Sequence, residues 1–94
     1  MVLNGLTEIY CYLKFNKPKD VQPGNLAFVL ACMESSADTG KLGTLKRADV
    51  DKLRIDFDPD IRDIKNSSMI WDTLLAIIET ERVKQEPPDL CVVM

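Results

Sequence analysis

The stretch from Ser67 to Lys84 constrains the fold more than any other part of this chain. Ile70, Leu74, Ile77 and Ile78 recur at the i, i+4, i+7, i+8 spacing of one helix face, and Met69, Trp71 and Leu75 widen the stripe. A strand seldom runs this long, so the periodicity predicts a helix. Asn66, Ser67 or Ser68 can cap its first turn, and Asp72 lies near the positive end of the dipole. Arg82 and Lys84 suit the negative end, and Pro87-Pro88 forbids continuation. An amphipathic helix must bury its stripe against another layer, so the rest of the chain has to supply one.

Two other segments alternate with period two. In Thr7 to Phe15, the residues Ile9, Cys11, Leu13 and Phe15 alternate with Tyr10, Tyr12 and Lys14. This pattern, rich in aromatic residues, predicts a half-buried strand with Tyr10 and Tyr12 on its outer face. In Lys52 to Phe57, Leu53, Ile55 and Phe57 face one way and Lys52, Arg54 and Asp56 the other, which predicts a second strand. Between them lies the apolar run Leu26 to Met33, whose periodicity alone does not decide. Its Ala, Leu and Met content, with Asn25 as N-cap, favours a buried helix from Leu26 to about Ala37. Ser35 to Gly40 reads as a loop, Thr44 to Val50 is ambiguous, and Asp60 to Lys65 is a connection. The resulting expectation is an α+β fold: a small mixed or antiparallel sheet of three to four strands, packed by one long C-terminal helix and a second helix. Residues 1–86 would form a single domain. Residues 87–94 would be a C-terminal tail or short edge strand.

Composition narrows the function classes. A chain of 94 residues supports one core. Twelve Lys and Arg stand against fifteen Asp and Glu, a net charge of −3 without a basic cluster, so binding to nucleic acid is not expected. Three cysteines at irregular spacing suit a reducing, cytoplasmic environment better than a disulfide framework. Cys11 and Cys32 sit in apolar runs and read as small hydrophobes. The N-terminus lacks the basic and apolar regions of a secretory signal, and no apolar run approaches the ~20 residues of a membrane span.

Histidine is absent, which removes the commonest general base and the Ser-His and Cys-His pairs. No Cys-x-x-Cys pair or phosphate loop is present, and no cofactor is expected. Asp56-x-Asp58-x-Asp60 matches the first three ligand positions of a calcium loop. Ile61 then stands where such a loop needs Gly, and Ser67 where it needs Glu. Solvated carboxylates around a Pro-containing turn are the simpler reading. Asn66-Ser67-Ser68 is a formal glycosylation sequon, read better as a helix cap.

The last four residues, Cys91-Val92-Val93-Met94, match the pattern that directs a prenyl group onto cysteine. Against this, Glu79, Glu81, Glu86 and Asp89 make the adjoining stretch acidic, whereas single-lipid anchors usually add basic residues. Otherwise Leu90, Val92 and Met94 would be buried in an edge strand.

The alternating Leu53, Ile55 and Phe57, the acidic turn after them and then Met69-Ile70-Trp71-Asp72 faintly resemble the C-terminal half of rhabdovirus matrix proteins. A strand entering Asn16-Lys17-Pro18 ahead of an Ala-containing apolar segment is similarly placed. The resemblance covers less than half of the chain. It implies an assembly protein that self-associates and touches membrane and nucleocapsid. Those proteins are larger and basic at the N-terminus, whereas this chain is short and acidic.

The leading expectation is a non-enzymatic protein–protein interaction module. Its partner surface would comprise Tyr10, Tyr12, Asp56, Asp58 and Asp60, with Cys91 as the lipidation site that would place it near a membrane. Its partner would be another protein, with self-association as a further option and membrane contact only through a lipid on Cys91. A viral matrix-like assembly protein is the alternative.

Overall fold

The computed structural model describes residues 3–58 and 64–85, and they form four helices: α1 (Leu6–Phe15), α2 (Pro23–Asp38), α3 (Arg47–Phe57) and α4 (Ile64–Gln85). Among the described residues there is no strand, so the α+β expectation and its three- to four-stranded sheet are overturned. The edge strand expected at 87–94 lies outside the described residues, as do Asp60 and Cys91.

Both predicted strands are helices, and the reason is the same in each. Segments of ten and eleven residues satisfy two periodicities at once. In α1, Leu6, Ile9, Tyr10 and Leu13 lie at i, i+3, i+4 and i+7, and the last three are buried. Phe15, which alternation would place inside, is 72% exposed. In α3, Val50 is fully buried, and Leu53 and Phe57 pack against the core one and two turns on. Ile55, which alternation would place beside them, is 71% exposed.

The two expected helices form, with earlier starts. Pro23 opens α2 at its first turn, where its missing N–H costs nothing and its φ is already helical. Asn25 therefore lies inside the first turn and is not the cap. The helix runs through Ser35, Ser36 and Ala37, the segment read as a loop, because Ser36 is buried and its Oγ accepts the Gly5 amide at 3.0 Å. Likewise α4 begins at Ile64, so Asn66, Ser67 and Ser68 lie within the helix rather than capping it.

Helix α1 packs chiefly on α4, α3 packs on α2, and α2 also touches α4. Ile9 and Leu13 of α1, Val29, Leu30 and Met33 of α2, and Trp71, Leu74 and Ile78 of α4 form the centre, each 0–1% exposed. Every such side chain contributes about 1.5–3 kcal/mol of burial. Helix α3 supplies one fully buried residue, Val50, and otherwise lies on the flank. It leaves most of its circumference to solvent.

Candidate interaction surface

Helix α3 sorts its charges by sign. Arg47 and Arg54 are seven residues apart and face α2, where Glu34 and Asp38 are one turn apart. Arg54 Nη2 donates to Glu34 Oε1 at 2.7 Å, and Arg47 Nη1 donates to Asp38 Oδ2 at 2.6 Å. Arg47 Nε also donates to Asp51 Oδ1 at 3.0 Å within α3. That bond to Asp51 raises Arg47 above its usual range, and Arg47 holds the Asp51 carboxyl below the usual carboxylate range. The arginines are thereby committed to their own chain.

What remains outward is acidic with an apolar centre. Asp49 accepts the Lys46 amide at 2.9 Å and anchors the first turn electrostatically. Asp56 and Asp58 are exposed at the other end, with Lys52 the outward cation. At helical spacing Ala48, Asp51, Ile55 and Asp58 lie along one side, so the exposed Ile55 is bordered by the carboxylates of Asp51 and Asp58 and, three residues before it, by Lys52.

The residues singled out from sequence separate. Asp56 and Asp58 are exposed on the end of α3, while Asp60 lies outside the described residues. Tyr10 and Tyr12 belong instead to the α1–α4 pair and are not on the outer face of a strand. Tyr10 is 8% exposed, its hydroxyl accepts from Lys14 Nζ at 3.0 Å, and the Arg82 guanidinium lies 4.7 Å over its ring. Tyr12 is half-buried, with its ring centroid 5.5 Å from Phe28 and 5.7 Å from Trp71. Cys91 lies outside the described residues. Ile55 and the Arg47–Arg54 pairing escaped the sequence reading; the matching i, i+4 acids on α2 and i, i+7 arginines on α3 were the available signal.

A second polar feature is structural. Glu81 of α4 is 4% exposed and accepts the Thr44 amide at 2.6 Å and the Thr44 hydroxyl, with Lys84 Nζ 3.7 Å away. Burial pushes its pKa up, but the two Thr44 bonds and Lys84 outweigh this and hold the carboxyl below its ordinary value. This carboxylate ties the α2–α3 connection to α4.

Among the described residues no helix is long and apolar enough to cross a membrane, and no group of three or more His, Cys, Asp or Glu converges as metal ligands. No family model, curated protein or solved structure matches the chain. The segment Leu53 to Phe57, which carried part of the likeness to rhabdovirus matrix proteins as a strand, is helical.

Proposed function

We propose that this chain is a non-enzymatic protein-binding module, and that the outer face of α3 is its partner surface. The observation that supports this is the division of α3: its arginines are held by Glu34 and Asp38, leaving Ile55 71% exposed beside Asp51, Lys52 and Asp58, with Asp56 exposed further round the helix. An exposed aliphatic anchor with more acidic than basic neighbours fits a partner with an apolar pocket and a mainly basic rim. Carboxylates there would speed encounter, and Ile55 would supply the desolvated contact. Asp56 and Asp58 keep the role expected of them, with Ile55 added. Tyr10 and Tyr12 act through packing. The membrane-proximal variant rests on Cys91 and is tested by the intact mass of the chain and of Cys91→Ser from eukaryotic cells. Equal masses, after allowing for the substitution and loss of the last three residues, would remove it.

Titrating the labelled chain with an amphipathic Lys/Leu helical peptide tests the surface. Amide shifts should concentrate at residues 47–58 and vanish in Ile55→Ser/Asp56→Asn/Asp58→Asn. Shifts located elsewhere, or unchanged in that variant, would reject it; substrate turnover by the purified chain would reject the non-enzymatic reading.

A further inference from the structure

The solvent face of α4 carries its own pattern, separate from α3. Met69, Thr73, Ala76, Thr80 and Val83 are all exposed and follow alternating spacings of four and three. This is the a/d seam of a heptad repeat, lying opposite the face that Ile70, Leu74 and Ile78 bury in the core. Met69 and Val83 are 59% and 55% exposed. The two threonines are less polar than their names suggest. Thr73 Oγ1 donates to the Met69 carbonyl at 2.9 Å and Thr80 Oγ1 to the Ala76 carbonyl at 2.8 Å. Their protons are used inside the helix, which leaves methyl groups for a partner. In the register that keeps charge out of the seam, Met69, Ala76 and Val83 take d and Thr73 and Thr80 take a.

We infer that this face pairs, in parallel and about a two-fold axis, with the same face of a second copy of the chain. The flanking charges select both the occupant and the direction. In that register Asp72 and Glu79 take g, while Ile77 and Lys84 take e. Parallel pairing sets each g residue against the e′ residue five positions on, so Glu79 meets Lys84 of the second copy, twice by symmetry. Antiparallel pairing would set g against g′, opposing Asp72 to Glu79 of the second copy. Asp72 needs no intermolecular cation, because Lys17 already holds both its oxygens at 3.0 and 3.1 Å. The seam spans two heptads, about 21 Å at 1.5 Å per residue. Its five seam residues and their flanks are well short of the roughly 20–30 residues a side of a standard interface. The dimer is therefore weak and concentration-dependent, and Ala76 at its centre lets the backbones approach.

Sedimentation equilibrium of the full chain, from micromolar to millimolar, tests this. The average mass should rise from one chain towards two. Glu79→Lys alone and Lys84→Glu alone should each weaken association by about tenfold or more, as both symmetric pairs become repulsive. An equimolar mixture of the two should restore it, since each g–e′ pair is then complementary. Lys84→Glu adds a carboxylate near Glu81, so Ala76→Glu serves as a second variant at an exposed site; it should abolish association while leaving helical circular dichroism unchanged. A monomer throughout the range, as would follow if residues 86–94 or a different protein occupied this face, overturns the inference. So does an Ala76→Glu chain that associates as the parent does, or a charge-exchanged mixture that stays monomeric.

Discussion

The indole Nε1 of Trp71 donates a 2.8 Å hydrogen bond to the backbone carbonyl of Leu13, joining the N-terminal half of α4 to the last turn of α1. The final carbonyls of a helix have no partner within it. The Asn16 amide serves Tyr12, and the Trp71 ring serves Leu13. The ring itself is fully buried and stacks at an angle on Tyr12. Trp71→Phe removes the donor, orphans a buried carbonyl and opens a void. It should lower unfolding free energy by about 2 kcal/mol or more, read from urea denaturation.

The face assignment of α3 predicts an unequal scan. Val50→Ala should cost about 2 kcal/mol, because two buried methyl groups are lost. Ile55→Ser should change stability by no more than about 0.5 kcal/mol, as expected of an exposed position. A strand reading would make Ile55 as costly as Leu53. Thermal unfolding of these two variants and of Leu53→Ser separates the two cases.

That contrast explains what could be read from the sequence. Helix α4 exceeds the length at which a strand competes, and in α2 the Ala, Leu and Met content tipped an apolar run that periodicity left undecided, so their type was legible; their starts were misplaced because Pro23 and Ile64 precede the obvious capping residues. In α1 and α3 the apolar positions fit both periods. Only tertiary contacts, such as the Trp71 bond to Leu13 and the salt bridges from Glu34 and Asp38, reveal which period is used. The acidic character around Asp56 and Asp58 was legible as composition. Its apolar centre at Ile55 was not, because alternation assigned that residue to the core.

Glu81 makes stability depend on pH in a defined direction. Its carboxyl is held below the ordinary value of 4.5 in the folded state. The folded chain therefore binds this proton less readily than the unfolded chain does. The contribution is complete above the unfolded pKa and is lost as pH falls from about 4.5 through the folded value. Glu81→Gln should flatten that acid limb. At neutral pH it should also cost about 1.5–3 kcal/mol, the scale of hydrogen bonds to a charged acceptor. Thr44→Val should reproduce much of both effects, monitored by melting temperature against pH.

Two glycines should respond oppositely to alanine. Gly24 is helical in α2, and an added methyl would meet nothing within 4 Å. Gly24→Ala should stabilise by about 0.5 kcal/mol by restricting the unfolded chain. Gly40 ends α2 at φ +71°, also with open space around it. Gly40→Ala should destabilise by about 1 kcal/mol through backbone strain alone. Calorimetric melting of both variants checks the pair.

The partner surface exists only if residues 47–57 are a helix, since a strand would turn Ile55 inward beside Leu53 and Phe57. The ¹³Cα secondary shifts of these residues measure this directly in solution. Consecutive positive shifts from Arg47 to Phe57, with Ile55 accessible to a soluble paramagnetic probe, are expected. Negative shifts, or an Ile55 shielded from the probe in the isolated chain, would contradict the assignment.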